Sequence, residues 1–327
     1  MTIDLDSIRL AAERLDGVAV RTPVLHSDVL NERLGGVVYI KPECLQHIGA
    51  FKFRGAYNRL SQLSPEQKSR GVVAFSSGNH AQGVAYAAML LGMEATIVMP
   101  SDAPQIKLQG TRRLGATVRL YERHTESREQ IAAEISANTG ATLVPAFEDP
   151  DIINGQGTCA LELMQDLALR DVVPERVLSP CGGGGLLAGL STAVKALASD
   201  TAVYGVEPET FNDHFLSKQA GERVAIDGTS PTLCDALMAT TPGELTWSIN
   251  SQTVDDFLLV SEAEVQHAIS FAFRYLKLVV EPGGAVALAA LLNKKIDITG
   301  ERVGIVLSGG NIDPANFAEC LELYPDP

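Results

Sequence analysis

An α/β architecture, with parallel sheets flanked by helices, is what the 327-residue chain predicts. Three observations carry it. Short aliphatic runs alternate with helical patterns, the connecting stretches repeat apolar residues at helical spacing, and glycine or polar clusters fall where the runs stop. The runs are residues 37–40, 72–75, 95–99, 116–120, 143–145, 176–178, 202–206 and 303–307, each too short for a helix. Residues 81–88 show the connecting pattern, with Val84, Ala85, Ala87 and Ala88 on one helical stripe. In such sheets ligands gather at the carboxyl ends of the strands. Four clusters sit there: Ser76-Ser77-Gly78-Asn79-His80, the glycines 182–185, Glu207-Pro208, and Ser308-Gly309-Gly310-Asn311. Turn-rich seams at 69–71 and 148–150 divide the chain into a small lobe, 71–148, and a large one built from 1–70 and 149–327.

Composition narrows the function. Lys and Arg number 26 against 40 Asp and Glu, a net charge of -14, so a nucleic-acid partner is not expected and an anionic ligand must be met by local donors. No run of 18 apolar residues occurs, so no membrane partner is expected. The five cysteines are scattered without CxxC spacing, and the amino terminus lacks a basic-then-apolar leader, which together predict reduced thiols and a cytoplasmic protein.

Gly182, Gly183, Gly184 and Gly185 follow a predicted strand and precede a helical pattern. Four glycines are costly in backbone entropy. Without Cβ atoms their N–H groups can close on one anion at a helix amino terminus, a phosphate cup; a flexible strand-to-helix turn is the plainer alternative. The run matches neither GxGxxG nor GxxxxGK[ST], which weakens a nucleotide reading. Lys52 lies between Phe51 and Phe53. An amine in an apolar setting is a Schiff-base former or general base, although a lysine so placed also reads as a snorkelling surface residue. Together with a phosphate cup it suggests pyridoxal 5'-phosphate (PLP). Ser308 then becomes a partner for the pyridine nitrogen, its alternative being a helix cap or turn. A hydroxyl leaves that nitrogen unprotonated, which suits elimination or prompt reprotonation better than transamination.

The motifs Ala50-Phe51-Lys52-Phe53-Arg54-Gly55-Ala56, Ser76-Ser77-Gly78-Asn79-His80, the tetraglycine run and Ser308-Gly309-Gly310-Asn311 occur in the order and spacing of the fold type II PLP enzymes. Over essentially its whole length the chain resembles their threonine/serine dehydratase and serine racemase family. The resemblance implies a two-lobed, tryptophan synthase β-like fold with a mobile small lobe, a homodimer, and an amino-acid substrate. Lys52 would carry the cofactor and then remove the α-proton. Phe51 and Asn79 would hold the ring, Asn79 through its 3'-oxygen, while Gly182, Gly183, Gly184 and Gly185 bind the phosphate and Ser308 meets the ring nitrogen. Ser76, Ser77, Gly78 and His80 would take the substrate carboxylate. Ser77 also occupies the position that donates a proton from the opposite face in racemases.

Further positions follow from the same resemblance. Glu207, Phe211 through its carbonyl, and Asp213 match a divalent-cation segment, where oxygen ligands suit Mg²⁺ or Ca²⁺; an acidic turn is the alternative. Arg128 matches an arginine that addresses a substrate's second carboxylate in some relatives, but it also reads as one half of an i to i+4 surface ion pair. Ala50 replaces a serine common in the family, and His47 either contacts substrate or packs. The expected reaction is loss of water from L-threonine or L-serine to a 2-oxo acid and ammonia, the hydroxyl leaving with a proton from the cofactor phosphate. The alternatives are a 3-hydroxyaspartate dehydratase, a serine or aspartate racemase, and a cofactor-binding protein without turnover. The chain ends soon after the Ser308 segment, so no carboxyl-terminal regulatory domain is expected.

Overall fold

In a computed structural model that describes residues 2–76, 78–123 and 125–326, nine strands form two all-parallel sheets among the described residues. They are β1 (Val37–Pro42), β2 (Val72–Phe75), β3 (Ala95–Pro100), β4 (Thr117–Tyr121), β5 (Thr142–Leu143), β6 (Arg176–Pro180), β7 (Ala202–Pro208), β8 (Asp256–Val260) and β9 (Arg302–Leu307). The larger sheet has the order β1-β9-β6-β7-β8 and the smaller β4-β3-β2-β5.

Alternation along the central strands explains why both faces are covered. Leu178 and Ile305 face one core, around the helix Pro282–Leu292, whose residues are buried on every side. Their neighbours Val177 and Val306 face a second core, formed with the helices Pro150–Ala168 and Gly185–Leu197. In the smaller sheet Ala74 and Ile97 pack against the helices Lys52–Ser61 and Asn79–Leu90, while Val73 and Val98 pack against the helix Arg128–Thr139.

Two strand expectations shift. The run 143–145 yields only the short β5: Val144 N still donates to Val73 O at 2.8 Å, but Pro145 has no N–H with which to continue the ladder. Strand β8, absent from the predicted runs, pairs at the sheet edge with β7. It opens on Asp256 and continues as the apolar run Phe257-Leu258-Leu259-Val260, with Leu258 and Leu259 half-exposed as befits an edge.

Candidate functional site

Lys52 opens its helix, and the loop before it is stitched to the loop after β9. Phe51 N donates to Ser308 O at 3.1 Å, Gly310 N to Gly49 O at 2.8 Å, and Asn311 Nδ2 to Ile48 O at 2.8 Å. These bonds bring Phe51, Lys52 and Ser308 together from opposite ends of the chain. Ser308 directly follows β9 and caps no helix, since the next one begins at Pro314. Ile48 is held at φ 57°, a region that β-branched residues avoid, so strain sits beside the site. His47 packs edge-on against Phe53, with ring centroids 5.1 Å apart, and its Nε2 meets Val18 O at 3.0 Å, which assigns it to packing.

The Lys52 amine donates to Ala146 O at 3.0 Å and lies 5.1 Å from the Phe51 ring centroid. The residue keeps some surface toward the cleft, yet desolvation of the amine lowers its pKa to about 8. Beside it, burial and then the Lys52 charge lower the pKa of His80 to about 3, so that imidazole is neutral. Its Nε2 carries the proton, because the partner at 3.1 Å is the Val144 carbonyl, an acceptor only.

The four glycines run from the end of β6 into the helix Gly185–Leu197, with Gly184 at φ 87°. Their carbonyls are tied outward: Thr246 Oγ1 donates to Gly183 O at 2.8 Å, Asn250 Nδ2 to Gly184 O at 3.3 Å, and Cys181 Sγ to Gly182 O at 3.6 Å. Turning the carbonyls away frees the opposite side of each peptide for N–H donation. A Cβ on Gly183 would come within 2.3 Å of the Phe147 ring, so only glycine fits this cradle. The cradle, the desolvated amine and the polar ends of β2 and β9 together suit a phosphorylated aldehyde cofactor.

Asn79 begins the helix after β2 and is 7% exposed. Its Oδ1 accepts from Asn311 Nδ2 at 2.9 Å, and its Nδ2 donates to the Glu281 carboxylate. Lys107 Nζ lies 3.1 Å from Glu281 Oε2 and 2.6 Å from Asp235 Oδ2. Ser76 Oγ accepts from Gly78 N at 3.1 Å. Ser77 lies outside the described residues. Arg128 begins the helix Arg128–Thr139, with its guanidinium 5.3 Å from the ring centroid of Phe75, the residue before Ser76. Its ion pair is with the adjacent Glu129 at 2.8 Å; the expected i to i+4 pair has no acidic partner, since His124 and Ala132 stand four positions away.

Glu207 ends β7, and its carboxylate accepts from His214 N at 3.1 Å and Phe215 N at 2.8 Å. Asp213 is buried, and neither of its carboxylate oxygens has a hydrogen-bond partner among the described residues. Phe211, in the turn between them, is buried too. His214 Nδ1 stands 3.6 Å from Glu207 Oε1 and 3.5 Å from Asp213 Oδ2, and Cys181 joins this cluster. Burial opposes a charged His214, but Cys181 and the two carboxylates outweigh it and raise its pKa. A buried carboxylate without a hydrogen bond, facing the His214 ring at 3.5 Å, fits a bound cation.

Sequence reasoning missed Glu281, Lys107, Asp235, Thr246 and Asn250. None belongs to a glycine- or lysine-centred motif, and each finds its partner only through the fold. A surface cleft of about 410 Å³ lined by Glu175, Thr201 and Arg302 lies at the amino-terminal edge of the larger sheet, away from these groups.

Known proteins resemble this chain in sequence and fold. The chain is 48% identical over 312 residues to an L-threo-3-hydroxyaspartate ammonia-lyase of a Pseudomonas species, covering 95% of this chain and 96% of that one. It is 45% identical over 311 residues to an L-threonine ammonia-lyase of Thermotoga maritima, covering 95% of this chain and 76% of that protein. The structure of maize serine racemase superposes with a TM-score of 0.92 at 35% identity, covering 100% of this chain and 99% of that one. With residues 15–309 also matching the model of that family, the cradle, the desolvated lysine and the loops around them belong to a pyridoxal-phosphate dependent enzyme.

Proposed function

We propose that this protein is a PLP-dependent ammonia-lyase that eliminates water from a β-hydroxy amino acid such as L-threonine or L-serine, yielding a 2-oxo acid and ammonia. The observation that carries this reading is the desolvated Lys52 amine, with a pKa of about 8, set between the glycine cradle and the loops of Asn79 and Ser308. When bound, PLP supplies an electron-withdrawing ring that acidifies the substrate's α-hydrogen. Lys52 would hold the cofactor and, as a free amine, take the α-proton at Nζ; a pKa near 8 keeps it basic while leaving part of it neutral near pH 7. Gly182, Gly183, Gly184 and Gly185 hold the phosphate through N–H groups, and Phe51 and Asn79 orient the ring. Ser308 meets the ring nitrogen without protonating it, which favours elimination over transamination. Ser76, Ser77, Gly78 and His80 hold the substrate carboxylate, and the neutral His80 acts through its ring nitrogens without adding charge. Residues 71–148 close over the substrate and exclude water.

A second reading, 3-hydroxyaspartate as the substrate, is favoured by Arg128, whose stacking on Phe75 holds a cation one residue from Ser76, and by the Pseudomonas relative. Incubating the holoenzyme with L-serine, L-threonine and the 3-hydroxyaspartate isomers, while following 2-oxo acid and the opposite enantiomer, tests both. Oxo acid from serine or threonine is expected. If Arg128 reads a distal carboxylate, Arg128→Leu raises KM for hydroxyaspartate by ~10-fold or more and leaves serine unaffected. Enantiomer without oxo acid points to a racemase and overturns the lyase reading. No product from any substrate does so too, and failure of borohydride to fix cofactor on Lys52 overturns the PLP assignment.

We also infer a divalent cation, Mg²⁺ or Ca²⁺, on Glu207, Asp213 and the Phe211 carbonyl, supported by the buried Asp213 oxygens that accept no hydrogen bond. Either ion should raise the melting temperature of the wild type and not of Asp213→Asn; equal shifts would count against the site. A cytoplasmic homodimer completes the reading, in keeping with five free cysteines and with the lack, among the described residues, of any helix long and apolar enough to cross a membrane. Sedimentation velocity tests the dimer, and a monomer at micromolar concentration would exclude it.

A further inference from the structure

Asn79 has its amide held from both sides. Asn311 Nδ2 already donates to Ile48 O at 2.8 Å, so the Asn79 atom it meets at 2.9 Å must be the oxygen. The opposite atom is therefore the nitrogen, and it donates to the Glu281 carboxyl oxygen. Of the two Nδ2 hydrogens one is used by Glu281, and the second remains as a donor. Glu281 itself is fixed: it is 1% exposed, precedes the buried helix Pro282–Leu292, and its N–H bonds Gly309 O at 3.0 Å, beside Ser308. A Cβ on Gly309 would come within 2.1 Å of Glu281 Oε1, so that glycine exists to admit the carboxylate.

The counter-charge comes from across the lobe boundary. Lys107, on the helix Gln105–Arg113, is 1% exposed, and its stem packs so closely on Gly78 that a Cβ there would lie 2.7 Å from its Cδ. Its amine joins Glu281 to Asp235, in the turn Asp235–Leu237 that packs on Gly182, with a would-be Gly182 Cβ 3.1 Å from Leu237 Cα. Resting on the PLP reading above, we propose that Glu281 is a positioning residue that aims the free Asn79 N–H at the cofactor's 3'-oxygen, and that Lys107 makes this aim conditional on lobe closure. When the lobes part, Lys107 leaves Glu281 and Asp235 together. Burial already raises the Glu281 pKa against the opposing Lys107 charge; without that charge burial and the nearby Asp235 raise it further, and a protonated carboxyl no longer fixes the amide.

An N–H donor stabilises an ionised 3'-oxygen, so the ultraviolet–visible band ratio of bound cofactor, which reports whether that oxygen is ionised, is a readout that mere loss of stability leaves unchanged. Wild type, Glu281→Gln, Lys107→Met, Lys107→Arg and the Glu281→Gln/Lys107→Met double variant are compared as PLP holoenzymes. Glu281→Gln is expected to weaken PLP binding ~10-fold and to lower the ionised fraction at fixed pH, as expected for loss of a charge-assisted hydrogen bond. Lys107→Met shifts the same band in the same direction, the double variant adds little to Glu281→Gln, and Lys107→Arg retains the wild-type band. Band ratios and cofactor affinity equal to wild type in Glu281→Gln and Lys107→Met overturn the proposal. Should Glu281→Gln fail to fold, the Lys107→Met and Lys107→Arg pair decides, since identical spectra in both overturn it equally. A wild type that takes up no PLP overturns the cofactor reading instead, so the two failures are distinct.

Discussion

Lys52 is stored in its less comfortable form. Its pKa of about 8 in the folded protein stands against about 10.5 for an unperturbed lysine. Below pH 8 the amine is protonated in both folded and unfolded states, and the folded state carries the full desolvation cost, up to about 3 kcal/mol. Between pH 8 and about 10.5 the unfolded chain holds the extra proton, so stability contributed by this group rises with pH and the cost vanishes above that window. Lys52→Met should therefore stabilise the cofactor-free protein at pH 7 by about 2 kcal/mol, after allowing about 1 kcal/mol for the lost bond to Ala146 O. The gain should fade toward pH 10.5. Thermal melts of both proteins across pH 6–11 check this, and a gain independent of pH would show that the amine is not desolvated. The same residue scale shows why part of the site was readable beforehand. Lys52, the glycines and Ser308 announce themselves through immediate neighbours, whereas Glu281 and Lys107 are single polar residues whose partners stand 202 and 128 positions away.

At the scale of elements, the helix Lys52–Ser61 is positioned by a buried ion cluster. Arg54, fully buried, donates to Glu43 at 2.7 Å and to Glu162 at 2.7 Å, and Lys41 donates to Glu162 at 2.6 Å. One turn of helix thus points Lys52 into the cleft and Arg54 into the protein. The cluster ties the helix to β1's exit and to the helix Pro150–Ala168, which fixes where the Lys52 amine emerges. Arg54→Met leaves Glu43 buried without its cation and should cost about 3–5 kcal/mol in urea unfolding. Arg70→Ala, which removes an exposed pair with Glu66, should cost less than about 1 kcal/mol. Comparable losses in the two variants would mean that the buried cluster is not what anchors the helix. Arg54 appears in the Lys52 motif, but nothing local says that it points inward. The element order was legible from apolar periodicity, and β8 carries the same kind of signal in Phe257-Leu258-Leu259-Val260, although the expected strands do not include it.

At the scale of the whole molecule, the seam near residue 70 divides the sheets but not the packing. The core of the smaller sheet takes Phe53, Ala56 and Leu60 from the helix Lys52–Ser61 and Ile152 from the helix Pro150–Ala168. That side of the small lobe is anchored by apolar contact, which resists separation. The other side, where the helix Gln105–Arg113 approaches Asp235 and Glu281, is held across the cleft by the Lys107 ion pairs. Apolar packing costs free energy to part in any state, whereas on this side water can meet Lys107 and the partly exposed Asp235, and the buried Glu281 can take up a proton. The lobe should therefore open by swinging about the Lys52–Ser61 side, with residues 105–113 moving most. Amide hydrogen exchange of cofactor-free and PLP-loaded protein tests this directly. Loading should slow exchange ~10-fold or more within 105–113, because closure there is coupled to the site through Gly78 and Asn79. The helix Asn79–Leu90, already buried against its anchored neighbour, should change far less. Equal slowing of both helices would mean that the small lobe moves as a detached body and that its shared core is no hinge.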